Sequence, residues 1–166
     1  MDIQIQQTIN EMDWQHLTGW AEQIFPEEGR HLQWSESSHH VIARNELGDA
    51  VGHIGFGEFA IKTDEKECFI LGVGGVVVRP EYQGQRLPQQ MFAKLHAMAF
   101  DDFNSHTFAL FCPPRLVSYY HKFGYKLLEY PVVSRCGDAN LLANFCFMIR
   151  GDLKFEHAIE LKSLPW

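Results

Sequence analysis

Residues 76–88 read Val76-Val77-Val78-Arg79-Pro80-Glu81-Tyr82-Gln83-Gly84-Gln85-Arg86-Leu87-Pro88. The run that feeds this stretch, Cys68–Val78, is apolar on both faces, the pattern of a strand buried in the middle of a sheet. Arg79 to Arg86 is a polar loop. Beyond it Leu87, Met91, Leu95 and Met98 recur at helical spacing, and Pro88 suits a helix's first turn. A strand that passes through a short loop into a helix leaves unpaired N–H groups and the positive end of the helix dipole at the junction. That junction suits an anion such as a pyrophosphate. It is also an ordinary way to join a strand to a helix with no ligand at all.

Working outward, Ile3 and Ile5 alternate with polar residues as a short first strand. Thr8 or Asn10 caps a helix carrying Trp14, Leu17, Ala21 and Ile24, which Pro26 stops. Glu27 to Ser38 is irregular. His39–Arg44 and Ala50–Ile61 read as strands around the turn Asn45-Glu46-Leu47-Gly48-Asp49, and Thr63-Asp64-Glu65-Lys66 makes a second turn. Downstream, Phe108–Cys112 is another buried strand. Pro113-Pro114 opens a helix with Leu116, Tyr119, Tyr120 and Phe123 on one face, closed by Gly124. Strands near Tyr125–Ser134 and Leu141–Ile149 flank the loop Arg135–Asn140, and the tail after Gly151 has no assignable pattern. A meander first and crossover helices later predict an α/β (α+β) fold, a mixed central sheet of about seven strands with helices on both faces.

The chain has 166 residues, enough for one domain over residues 1–166 without a disulfide or metal staple. It is 46% hydrophobic and 21% charged, a globular composition. A net charge of −7 argues against general nucleic-acid binding and fits a cationic ligand. The apolar run between Glu67 and Arg79 is too short to span a membrane, and Met1-Asp2-Ile3-Gln4 lacks a signal-peptide layout. Cys68, Cys112, Cys136 and Cys146 form no CxxC pair, so neither a zinc site nor a disulfide framework is expected. These features predict a cytoplasmic protein with no metal and no membrane partner.

Residues 76–88 resemble the acyl-CoA-binding motif of the GNAT N-acetyltransferase superfamily, Gln/Arg-x-x-Gly-x-Gly/Ala after a Val-x-Pro-x-Tyr lead-in. About thirty residues on, Tyr120-His121-Lys122-Phe123-Gly124-Tyr125 resembles the family's Tyr-x-x-x-Gly-Phe/Tyr element. The order of elements matches the family over roughly residues 1–150. Gly84-Gln85-Arg86-Leu87 looks most like the loop of aminoglycoside 2'-N-acetyltransferases, and nodulation acyltransferases are a looser match. The sequence departs from the pattern in three places. Arg86 stands where the family has Gly, Pro88 where it has Gly or Ala, and Gly74 where many relatives carry a glutamate used as base or amine anchor.

The resemblance implies acetyl-CoA as acyl donor and the amine of a small molecule, such as an aminoglycoside, as acceptor. It places the pantetheine arm against the backbone of Val76, Val77 and Val78. It places the pyrophosphate on Gln83, Gly84, Gln85, Arg86, Leu87 and Pro88. Gly74-Gly75 is the expected bulge. Tyr120 is the implied acid for the leaving thiolate, with Tyr119 as its neighbour and rival and core packing as the plain alternative. The base is open among His39, His40, His53 and Glu58, the last two on opposite faces of one strand, or a bound water. Glu27, Glu28 and Glu36 are candidate attractors of a cationic acceptor, or solvated surface. Cys112 sits near the implied thioester, either covalent or structural. The family implies a monomer or homodimer, with Phe155, Leu161 and Trp166 as candidate contact residues. Two further readings remain: a degenerate relative that binds an acyl-CoA or other ligand without turnover, and an acyltransferase for longer acyl chains.

Overall fold

A computed structural model describes residues 1–19, 33–63, 66–98, 103–134 and 143–166. The first strand, β1 (Asp2–Gln6), pairs antiparallel with β2 (His39–Arg44), which pairs antiparallel with β3 (Ala50–Thr63). Next comes β4 (Lys66–Val78), antiparallel to β3, and then β5 (Phe108–Cys112), which lies parallel to β4. The sheet continues through β8 (Cys146–Arg150) to β6 (Lys126–Leu127), while β7 (Val132–Ser134) and β9 (Ile159–Leu161) attach to the far half of β3. It is an open mixed sheet of nine strands among the described residues, not about seven. The expected strand Tyr125–Ser134 is two pieces with different partners. Pro131, which lacks an N–H, falls between them; β6 pairs β8 and β7 pairs β9. The tail supplies the other unforeseen strand, β9.

Helix α1 (Glu11–Thr18) is capped by Asn10, whose side chain accepts the Asp13 N–H at 2.8 Å. Asp13 in turn holds Arg44 of β2 through an ion pair of 2.6 Å. Ala21, Ile24 and Pro26, expected to complete this helix, and the acidic Glu27 and Glu28 lie outside the described residues, as do Asp64, Glu65 and Cys136. Helix α2 (Leu87–His96) and the short α3 (Val117–His121) pack their apolar sides on the opposite face of the sheet from α1. Gly124, at φ +84°, ends the α3 turn as expected.

Alternation along β3 assigns the two faces. Gly52, Ile54 and Phe56 look towards α2, and Gly52 is a glycine because a Cβ would stand 2.8 Å from Met91 Sδ. His53, Gly55, Gly57, Phe59 and Ile61 look the other way, where α1 and the tail lie. On that face the Trp166 indole lies over Gly72, stacks on Phe59 at 4.6 Å and donates its N–H to the Ala109 carbonyl at 3.0 Å. Phe155, Leu161 and Trp166 are therefore interior residues, each under 9% exposed, and do not form an outward patch. The strap formed by residues 33–38 closes over the same face, with the Ser35 N–H on the Pro165 carbonyl at 2.6 Å and its hydroxyl on the Leu164 carbonyl at 2.8 Å. Truncating Trp166→Ala is expected to cost about 3–5 kcal/mol, read from the denaturation midpoint. A loss under about 0.5 kcal/mol, the surface range, would show that the tail is not part of the core.

Candidate active site

The β4–β5 pairing covers only Leu71↔Phe108, Gly72↔Ala109 and Val73↔Leu110, after which β4 runs on to Val78 while β5 stops at Cys112. Over residues 74–78 β4 is still paired to β3 on one side. Its other edge faces no strand among the described residues. An internal edge of this kind offers N–H and C=O groups to an extended ligand that carries amides. At the head of this edge the β3–β4 register slips between His53 and Gly55, and Gly75 takes φ +57°. This is a bulge with glycine in the left-handed region, as the sequence predicted for Gly74-Gly75. The extra residue reverses the alternation. Gly74 and Val77 look to the same face, whereas Val78 packs in the α2 core.

Past Val78 the chain makes a 3-10 turn at Pro80–Tyr82, and the Gln83 side chain reaches back to the Val78 carbonyl at 3.1 Å. Gln83, Gly84, Gln85 and Arg86 are exposed; Leu87 anchors the helix in the core, and Pro88 is half-buried. Gly84 has φ +76° with open space where a Cβ would sit, and Arg86 has φ 59° at the N-cap of α2. Left-handed residues in such a loop turn its backbone N–H groups into one concavity, a form that suits anions. Pro88 withdraws one donor from the first turn of α2.

Tyr120 is buried on α3 against Phe92, Tyr119 and Tyr125. Burial above all, then the neighbouring Tyr119 and Cys112, pushes its phenol above the usual tyrosine range. Tyr119 is shifted the same way by burial. Cys112, at the end of β5, is pushed up to about 12 by burial and then by Cys146, and its Sγ donates to Met148 Sδ at 3.6 Å. It is a neutral, packed thiol, so of its two sequence readings the structural one fits.

The four candidate bases separate by face. Glu58 accepts the Asn104 N–H at 2.8 Å and the Asn104 amide at 2.7 Å on the α2 side. His39 stacks on Phe56 on that side and bonds Ser38 Oγ. His40 and His53 meet on the α1 side, Nδ1 of His40 lying 2.9 Å from Nε2 of His53, and Nδ1 of His53 lies 2.7 Å from the Gly75 carbonyl. Trp14 of α1 meets the His53 ring edge-on at 5.5 Å. Their thirteen-residue separation hid this pair, because only the β2–β3 register joins them. Glu36 is exposed on the strap. A cavity of about 390 Å³ opens beyond Phe111 of β5, walled by Leu128, Tyr130, Val132, Phe145 and Phe147 among others.

A family model described as an acetyltransferase (GNAT) domain matches residues 7–128. The chain belongs to the GNAT acetyltransferase family. No curated protein matches the sequence. Among solved structures it is similar to the GNAT family N-acetyltransferase YhbS of Escherichia coli in complex with CoA, at 15% identity and a TM-score of 0.58, over 98% of this chain and 94% of that one. It is similar to Escherichia coli ElaA at 15% identity and a TM-score of 0.58, over 90% and 99%. It also resembles, over 90% of its length but only 35% of the other chain, N-acetylglutamate synthase of Neisseria gonorrhoeae complexed with coenzyme A and N-acetyl-glutamate, at 14% identity and a TM-score of 0.59. At such identities the likeness is one of fold.

Two departures from the GNAT pattern now have physical form. Arg86 adopts the backbone conformation for which glycine is the default, at a cost of about 1–2 kcal/mol. Gly74 has no room for a glutamate, since even a Cβ there would stand 2.9 Å from the main-chain carbonyl carbon of Trp166.

Burial is the main cause that depresses His53, to about 4 from 6.5, and it lowers His40 as well. The unfolded chain then binds more protons than the folded one between these values. Stability is full above pH 6.5 and falls as pH drops towards 4, by roughly 3 kcal/mol for His53 alone. Denaturant titrations at pH 7 and pH 4.5 should show this loss in wild type and a smaller one in His53→Gln. Equal losses in the two proteins would contradict the buried, neutral histidine.

Proposed function

We propose that this GNAT protein is a cytoplasmic acyl-CoA-dependent N-acyltransferase that moves an acetyl group from acetyl-CoA to the amine of a small molecule. The observation that carries the reading is the uncovered edge of β4 at residues 74–78, headed by the Gly75 bulge and followed directly by the left-handed loop and α2. That order matches the parts of acetyl-CoA, with thioester at the bulge, pantetheine amides along Val76, Val77 and Val78, and pyrophosphate on the backbone of Gln83 to Leu87. The exposed guanidinium of Arg86 adds a charge beside the donor that Pro88 lacks. The CoA bound to YhbS and to N-acetylglutamate synthase supports the donor class.

In the reaction the neutral amine attacks the thioester carbon, the C–S bond breaks, and the departing sulfur takes a proton. Tyr120 keeps its proton at neutral pH, and a thiolate with a pKa near ~8.5 is basic enough to receive it in concert with bond breaking. His53 has both ring nitrogens engaged. His40, with Nδ1 donating to His53, keeps a lone pair on Nε2 and is the base of choice. A small polyamine or aminoglycoside suits the net charge of −7 and the Gly84-Gln85-Arg86-Leu87 loop. The cavity beyond Phe111 favours a second reading, a longer acyl chain. Pro88 and the strained Arg86 favour a third, ligand binding without turnover.

Saturating acetyl-CoA should raise the melting temperature by several degrees, because a ligand at one hundred times its Kd stabilises by about 2.7 kcal/mol. No rise at millimolar acetyl-CoA would remove the donor site. With an acceptor found from an amine panel, Tyr120→Phe should lower turnover at least ~10-fold with little change in acetyl-CoA affinity. Unchanged turnover would take Tyr120 out of the mechanism. Faster transfer from octanoyl-CoA than from acetyl-CoA would favour the longer-chain reading.

A further inference from the structure

We infer that His53 is a positioning residue for acyl transfer, acting through the peptide that joins Gly75 to Val76. The inference rests on the acyltransferase reading above. His53 is 2% exposed, and its Nδ1 lies 2.7 Å from the Gly75 carbonyl oxygen. A carbonyl can only accept, so Nδ1 carries the proton. Nε2 then holds a lone pair, and His40 Nδ1–H donates into it at 2.9 Å. The protons thus run one way, from His40 to His53 to the Gly75 carbonyl, and each bond fixes the tautomer behind the next.

The consequence lies on the other end of the peptide. Among the described residues every peptide is trans, so the Val76 N–H points opposite to the Gly75 C=O. Holding that carbonyl against His53 turns the Val76 N–H to the far side of the peptide from the ring, on the stretch of β4 past Val73 to which β5 does not pair. There it is a fixed donor for the oxygen of an acyl thioester, on which negative charge grows as the amine attacks. A bulge with glycine in the left-handed region has no side chain to stop the peptide from turning over. Here the histidine does it. The site is built for that ring. A Cβ on Gly55 or Gly75 would each come within 3.3 Å of His53 Cε1, and Trp14 closes the ring's edge. Polarity adds along the chain of bonds, since each donor strengthens the next.

The test compares His53→Gln, whose amide can donate to the Gly75 carbonyl, with His53→Leu, which fills the space and cannot. The wild-type protein alone gives the first readout: long-range proton–nitrogen NMR should show His53 protonated on Nδ1. Protonation on Nε2 overturns the inference whether or not any variant folds. The second readout is the Val76 amide with S-(2-oxopropyl)-CoA, an unreactive ketone analogue of acetyl-CoA. Its proton should move downfield in wild type and His53→Gln and stay in place in His53→Leu. The third is kinetic. Turnover should fall about 100-fold in His53→Leu, the scale of a misplaced reacting group, with KM for acetyl-CoA within about threefold and most of the loss restored in His53→Gln. Analogue binding without a Val76 shift, or equal losses in the two variants, overturns the role of His53 and leaves the acyltransferase reading standing. Absence of any binding to wild type overturns both.

Discussion

The structure depends on one extra residue in β4. Up to Val73 the strand is clamped between β3 and β5; from Gly74 on, among the described residues, β3 is its one strand partner. The slip at Gly75 makes that change possible without loss of the sheet. It turns the alternation over, so that Val78 closes the α2 core while Val77 closes the small cluster under α1. It frees one edge of a central strand inside the protein. The cost of a left-handed residue is small because it is glycine. A side chain here would meet both the backbone conformation and the His53 ring.

Among the described residues, several contacts hold the bulge from the α1 face. The His40–His53 pair takes the carbonyl, α1 presses Trp14 on the ring, and the tail brings Trp166 over Gly72 and Gly74. The indole N–H bonds Ala109, beside the last rung that β4 and β5 share, so the tail fixes the point at which the two strands part. The α2 face contributes the other half, where Tyr120 and Cys112 sit beside the end of β5. Two sheet faces therefore divide the roles proposed for this GNAT protein, with histidines on one and the phenol on the other.

Much of this was legible in the sequence because it is local. The doubly apolar β4, the loop and the period of α2 are read within a single stretch, and so is the bulge at Gly74-Gly75. The Tyr120 helix closed by Gly124 appears where expected. What was hidden depends on register or on distant packing. His40 and His53 are partners only because Ile42 lies opposite His53. Trp166 looked like a contact for a second copy because nothing local says that two glycines ninety residues away leave room for it. Pro131 splits one apparent strand into two with different neighbours, and the tail adds β9, so seven expected strands became nine among the described residues. Arg86 shows the reverse case. A residue that breaks the pattern still takes the backbone shape that the pattern describes.

The central claim is that the uncovered edge of β4 and the loop after it form one acyl-CoA site. Amide hydrogen exchange by mass spectrometry, with and without acetyl-CoA, tests it most directly. The account predicts added protection in peptides covering residues 74–78 and 83–88 together, and little change in β1 and β2. Protection confined to other segments, or to only one of these two, would contradict it.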